Sequence, residues 1–231
     1  MQAVILAGGL GTRLWPLTKT VPKPMVPVAG VPYLEHQLRL LEKQGIHSIL
    51  ILTGYLGEQI EEYFGDGHEL GLAIGYSREQ SPAGTGGALR EAHEKLAETF
   101  LVIYGDSYLP IDYTETLAKL EGSAAAGLLV VYDNRLSDTS VKNNVDVDAA
   151  GYVARYEKDS PDPLGYVEAG VLAFRREIVP MIAPQGTVSL EKEIFPRLIA
   201  ARRLIAQVTT QRFYDIGTPE RLKAIEELLA G

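Results

Sequence analysis

A doubly wound α/β fold on a mostly parallel sheet is what this 231-residue sequence predicts, on three observations. Apolar runs at 4–7, 48–53, 72–76, 100–104 and 128–132 have strand length and do not alternate with polar residues, as strands buried on both faces do not. Segments between them carry apolar residues at helical spacing. The first run passes directly into a loop with three glycines among four residues, Gly8-Gly9-Leu10-Gly11.

Taken in order, Val4-Ile5-Leu6-Ala7 is a first strand. Residues 32–43 are the clearest helix, with Leu34, Leu38 and Leu41 on one face and Gly45 as a stop. A strand at 48–53, a weaker helix at 58–64, a strand at 72–76, a helix from Thr85 to Ala97 and a strand at 100–104 continue the alternation. A Rossmann-like sheet of buried parallel strands follows for residues 1–133, ending at 128–132. The pattern then changes to a hairpin of 143–147 and 152–157 around Ala149-Ala150-Gly151, followed by a strand at 166–174, and the sheet as a whole is expected to be mixed though mostly parallel. A helix from Ser189 to Arg202 should kink at Pro196, and a last helix starts with Thr218 as N-cap and Pro219 at its first position. With no internal repeat or linker, we expect one domain, 1–231, whose β-rich second half, 134–231, covers the open side of the sheet.

Composition narrows the class. With 46% hydrophobic and 23% charged residues the chain can bury a core and is not disordered. Its longest apolar stretch, 124–132, falls far short of the ~18 residues of a membrane helix, and no secretion signal precedes the first strand. Without cysteine there are no disulfides or thiolate sites, so the cytoplasm is the expected compartment. The net charge of −8 argues against wrapping nucleic acid. Yet residues 1–34 contain no Asp or Glu while holding Arg13, Lys19 and Lys23, so a small anion is the natural guest there.

The segment Leu6-Ala7-Gly8-Gly9-Leu10-Gly11-Thr12-Arg13 is a phosphate cradle by chemistry, since glycines let backbone N–H groups approach an anion. The dinucleotide fingerprint fails at Leu14 and at Thr53-Gly54, where a third glycine and an acidic residue belong, and no Gly-Lys-Ser/Thr follows. Instead Val21-Pro22-Lys23-Pro24 holds a lysine between two prolines of fixed φ. Asp106 follows the strand at 100–104, at the end of an open sheet where ligands bind, and Asp215 ends another strand-like stretch. Two carboxylates of this kind suit Mg²⁺ together with substrate phosphates.

These motifs resemble the signature of the sugar-1-phosphate nucleotidyltransferase (NDP-sugar pyrophosphorylase) family. The resemblance extends through Pro82-Ala83-Gly84-Thr85-Gly86-Gly87, Tyr104-Gly105-Asp106-Ser107, Glu157-Lys158 and Asp215-Ile216-Gly217-Thr218-Pro219. It implies the nucleotide-diphospho-sugar transferase fold, with a nucleotide-binding half at 1–133 and a sugar-phosphate-binding half at 134–231. It also implies transfer of a nucleoside monophosphate from an NTP to a sugar 1-phosphate, with release of pyrophosphate and Asp106 and Asp215 as Mg²⁺ ligands. Arg13 is expected at the leaving pyrophosphate and Lys23 at the α-phosphate, joining Asp106 as catalytic residues. The nucleotide is expected against Leu6, Ala7, Gly8, Gly9, Gly11, Thr12, Gln80, Gly84 and Thr85, with Gln80 able to address a base edge through both donor and acceptor. For the sugar phosphate the resemblance points to Gly105, to Lys158 on phosphate, to Glu157 on hydroxyls and to Glu168 and Gly170 beside the ring. Asn144, with Lys142 and Asn143, stands within a turn that could reach the sugar. Glu168 departs from the more frequent asparagine, which marks either a different sugar or a strand-end carboxylate. Leu14-Trp15-Pro16-Leu17 resembles mannose-1-phosphate guanylyltransferases, and the short chain with Gly84-Thr85-Gly86-Gly87 resembles heptose-1-phosphate guanylyltransferases, so the lean is towards GTP. Uridylyl, cytidylyl and thymidylyl transfer, a silent regulatory paralogue and a homo-oligomer all stay open. A glycosyltransferase would need a paired Asp-x-Asp, and Asp146-Val147-Asp148 lies in a polar hairpin.

Overall fold

The computed structural model describes residues 1–230. The chain runs β1 (Gln2–Ala7), β2 (Pro27–Val28), β3 (Val31–Pro32), α1 (Tyr33–Lys43), β4 (Ser48–Thr53), α2 (Gly57–Phe64), β5 (Ala73–Arg78), α3 (Gly84–Glu91), β6 (Thr99–Tyr104), β7 (Ser107–Tyr108) and α4 (Tyr113–Glu121). It continues through β8 (Gly127–Tyr132), β9 (Val145–Val147), β10 (Val153–Tyr156), β11 (Val167–Arg175), α5 (Phe195–Ala200), β12 (Leu204–Thr209), β13 (Tyr214–Asp215) and α6 (Pro219–Leu229). Seven strands form the central sheet in the order β12-β8-β11-β6-β1-β4-β5. Only β11 runs against its neighbours, β6 and β8, so the sheet is mixed and mostly parallel.

The interior strands β1, β4, β6, β8 and β11 bury both faces, which is why their sequences do not alternate, whereas the edge strand β5 buries Ile74 between the exposed Ala73 and Gly75 and departs from the non-alternating run expected at 72–76. On one face Ile5 and Ile103 pack with Leu34, Leu38 and Leu41 of α1 and Leu117 and Leu120 of α4. On the other, Val4 and Val102 pack with Leu89 of α3 and with Phe195 and Leu198 of α5. Among the described residues, no helix is long and apolar enough to cross a membrane.

The second half does more than cover the sheet. Eight of the nine residues of β11 are buried, so both of its faces are covered, and β11 lies between β6 and β8 as an interior strand. Nor does Pro196 kink a long helix. One π turn, Leu190–Ile194, is capped by the Ser189 hydroxyl accepting from the Lys192 amide and runs directly into α5, so the missing amide of Pro196 falls where the wider turn passes into the α-helix. Helix α3 stops at Glu91, and a 3₁₀ turn at His93–Lys95 brings Leu96 back into the core. Thr218 caps α6, with Pro219 at its first position, as the sequence predicts.

Candidate active site

Three elements converge at the carboxyl end of the sheet. The loop after β1 is pinned by Thr18, whose buried hydroxyl donates to the Gly11 carbonyl at 2.8 Å. Gly11 sits at φ +63°, and a Cβ there would press on the Lys23 stem at 3.1 Å, so the glycine lets the cradle and the Pro-Lys-Pro segment touch. After β6, the Gly105 amide donates to the Leu6 carbonyl at 2.9 Å, which brings Asp106 beside the cradle.

The turn carrying Asp106 is held from behind by α1. The buried Gln37 amide donates to the Tyr104 carbonyl at 2.9 Å and also to the Ser107 carbonyl, and the Tyr33 hydroxyl donates to the Asp106 carbonyl at 3.1 Å. In front, the Lys23 ammonium meets the Asp106 carboxylate at 2.5 Å, with the aspartate side chain 31% exposed. Burial works against ionisation of Asp106, but the Lys23 and Arg13 cations outweigh it and hold the carboxyl below its ordinary range.

Asp215 arrives on β13, which pairs with β7 so that Asp215 faces Ser107, the neighbour of Asp106. The Ile216 amide donates to the Asp106 carbonyl at 3.1 Å. Burial first, and then the charges of both Asp106 and Asp215, push the Tyr33 hydroxyl well above its ordinary pKa, so the two carboxylates share one neighbourhood. Asp215 is paired with Arg221 at 2.6 Å and accepts from the Gly217 amide at 2.6 Å. Among the described residues no three His, Cys, Asp or Glu side chains gather into a metal cage. Asp106, beside Lys23 and Arg13, and Asp215, paired with Arg221, are hard-oxygen donors of the type that suits an ion completing its shell with phosphates and water.

One cavity of about 770 Å³ opens here. Leu6, Ala7, Gly8, Gly9, Gly11, Thr12, Arg13, Lys23, Gln80, Gly84, Thr85, Gly105, Asp106 and Lys158 all line it. The remaining expected residues lie outside its lining. Asp215 is one strand behind. The Glu157 carboxylate turns to Arg155 at 2.6 Å. Asn144 is buried and its side-chain carbonyl accepts from the Glu168 amide at 2.9 Å, so it pins two segments together and does not reach for a ligand. Gly170 sits at φ +76°, where a Cβ would overlap the Ser107 side chain. The Glu168 carboxyl is 7% exposed, accepts from the Tyr156 hydroxyl at 2.7 Å on one oxygen and leaves the other without a partner. Burial and the neighbouring Glu191 push its pKa up to about 7. Asp146 and Asp148 accept backbone amides of Gly165, Ala150 and Tyr152, so the Asp-x-Asp pair builds turns.

Two carboxylates at the cavity, Glu79 and Glu191, carry no motif signal in the sequence. Glu79 packs against Gly8 and Gly54, where a Cβ would come within 2.8 and 2.5 Å of its carboxylate, and accepts from the Ala83 amide at 2.9 Å. Glu191 reaches the cavity from the π turn.

Comparison with known proteins identifies the family. A family profile described as "Nucleotidyl transferase" matches residues 2–230. The mannose-1-phosphate guanylyltransferase of Mycobacterium tuberculosis is 37% identical over 225 residues, which is 95% of this chain and 62% of that protein, so the chain spans under two thirds of that relative. The D-glycero-alpha-D-manno-heptose 1-phosphate guanylyltransferase of Campylobacter jejuni is 35% identical over 223 residues, 95% of this chain and 96% of that one. HddC from Yersinia pseudotuberculosis superposes with a TM-score of 0.83 at 27% identity, covering 99% of both chains, and that protein has also been solved complexed with GMP-PN. With the fold, the glycine cradle and a profile matched across 2–230 in agreement, the chain belongs to the nucleotidyl transferase family.

Proposed function

We propose that this chain transfers a nucleoside monophosphate from an NTP to a sugar 1-phosphate and releases pyrophosphate, with GTP and a heptose or mannose 1-phosphate as the substrate pair. The observation that carries this reading is the convergence of Arg13, Lys23 and Asp106 on the glycine cradle, with Lys158 on the same cavity's wall. The names of the mycobacterial and Campylobacter relatives favour guanylyl transfer.

An oxygen of the sugar phosphate forms the new bond to the α-phosphorus, and the bond from that phosphorus to the oxygen bridging the β-phosphate breaks. The nucleophile is already anionic at neutral pH, so no base is required and His36, His47, His68 and His93 stay outside the cavity. What the protein supplies is in-line placement and charge. Backbone amides of Gly8 to Thr12 cradle the phosphates, Lys23 sits at the α-phosphate and Arg13 meets the departing pyrophosphate. Lys158 takes the sugar phosphate, and Gln80 with the first-loop backbone takes the base. Asp106 and Asp215 would hold Mg²⁺, which when bound neutralises the phosphate charges that otherwise repel.

Pyrophosphate release, measured over a matrix of five triphosphates against mannose, glucose, heptose and amino-sugar 1-phosphates, tests the reading. We expect release that requires both substrates and stops with chelator, greatest with GTP. Absence of release from every pair, with triphosphates still bound, would sink it.

A further inference from the structure

Glu191 is the most heavily engaged side chain on the cavity wall. One carboxylate oxygen accepts from the Tyr104 hydroxyl at 2.7 Å and faces the Lys158 ammonium at 3.7 Å. The other accepts from the Thr85 hydroxyl at 2.8 Å and the Ser189 hydroxyl at 2.6 Å. Thr85 opens the glycine helix on the nucleotide side of the cavity, whereas Lys158 belongs to the second half of the chain. The carboxylate is therefore a bridge between two regions that the reaction must bring into register.

The bridge is itself rigidly mounted. Residues 187–191 run along the Pro82 to Gly87 segment as a strap. The Val188 amide donates to the Ala83 carbonyl at 2.8 Å, the Gly86 amide donates to the Val188 carbonyl at 2.8 Å, and the Leu190 amide donates to the Thr85 hydroxyl oxygen at 2.9 Å. The Thr187 hydroxyl donates to the Pro82 carbonyl at 2.8 Å. Lys158, by contrast, is a flexible stem with its side chain 56% exposed, and the 10% exposed Glu191 is its ion-pair partner. A long cation of this kind carries rotamer freedom that must be lost before it can grip an anion. A buried carboxylate with both oxygens already hydrogen-bonded removes that freedom in advance. Burial opposes ionisation of Glu191, but Lys158 and the surrounding hydroxyls and amide prevail, holding its carboxyl below the ordinary range.

We propose that Glu191 is a positioning residue for the sugar phosphate, fixing the Lys158 ammonium at the cavity wall and tying it to Thr85 on the nucleotide side. The proposal rests on the sugar-1-phosphate reading above for the identity of the anion. Its action on Lys158 does not depend on that reading.

The experiment is a KM comparison of wild type, Glu191→Gln, Glu191→Asp, Lys158→Met and the Glu191→Gln/Lys158→Met double variant, with side-chain ¹⁵N relaxation of Lys158 recorded in parallel. We expect Glu191→Gln to raise the KM for sugar 1-phosphate about tenfold and to leave the KM for triphosphate within about twofold, because the glutamine carbonyl still accepts from the Thr85 hydroxyl while the charge facing Lys158 is lost. Glu191→Asp, which keeps the charge, recovers part of the loss. In the Lys158→Met background the second substitution adds nothing, because its effect passes through the lysine. Equal rises in both KM values, or additive effects in the double variant, would overturn the proposal. Should wild type release no pyrophosphate, the function reading fails and the relaxation data decide. A drop in the Lys158 Nζ order parameter in Glu191→Gln sustains the positioning role, and an unchanged value ends it.

Discussion

Removing the buried charge of Glu168 will change how stability depends on pH. Its carboxyl moves from an ordinary 4.5 to about 7, chiefly through burial and next through the adjacent Glu191, with Lys158 and the Tyr156 and Tyr104 hydroxyls opposing. The folded state therefore holds a proton that the unfolded chain releases at lower pH. Stability from this group is complete below pH 4.5 and is lost as pH rises through 7. The difference corresponds to roughly 3 kcal/mol at alkaline pH. Glu168→Gln keeps the shape of the neutral acid and cannot ionise. Urea unfolding of both proteins at pH 5, 6, 7 and 8 should give a stability difference that shifts in favour of the variant by roughly 2.5 kcal/mol across the series. Titrating groups remote from Glu168 are common to both proteins and cancel, while Glu191, which faces it, gains from the loss of a neighbouring charge in the same direction. Parallel curves would show that Glu168 ionises in the fold as easily as in the unfolded chain, and would refute the argument from burial.

Asp106→Asn should abolish turnover while near-UV circular dichroism stays that of wild type, because Gln37 and Tyr33 hold that turn through its backbone carbonyls. Lys23→Ala should lower the rate on the order of 10²-fold, and wild-type turnover in either variant would remove that residue from the mechanism. Gly84→Ala places a side chain at φ +75° with its Cβ 2.5 Å from the Val188 carbonyl oxygen. A loss of about 2 kcal/mol in urea unfolding is expected, and an unchanged midpoint would contradict the close seating of the 187–191 strap.

The first half of the fold was readable because its signals are local. Ile5 and Val4 point to opposite faces of one strand and are both buried, so the run is apolar throughout, and Leu34, Leu38 and Leu41 mark their helix without help from the rest of the chain. The cradle was readable for the same reason, since its glycines, Arg13 and Lys23 lie within one short stretch. What escaped depends on distant partners. The run Leu204–Thr209 is apolar enough for a strand, but its place beside β8 is set by pairing across more than seventy residues. Asn144 reads as an exposed turn residue until the Glu168 amide is found against it. Glu191 lies in a polar helical pattern, and only the strap's seating on the glycine motif turns it towards the cavity. Helix α4, capped by Asp112 through the Thr114 and Glu115 amides, carried a local signal that the reading passed over.

The strand order has a consequence for how the chain comes off the ribosome. β8 borders β11 on one side and β12 on the other, both made after it, and no earlier strand lies beside it. While residues 133–166 are being synthesised, a six-residue apolar segment with every residue buried in the finished protein has no sheet to join. The nascent chain must shelter that segment until β11 emerges, and at roughly 5–20 residues per second the wait lasts seconds. Slower translation across this interval lengthens the exposure.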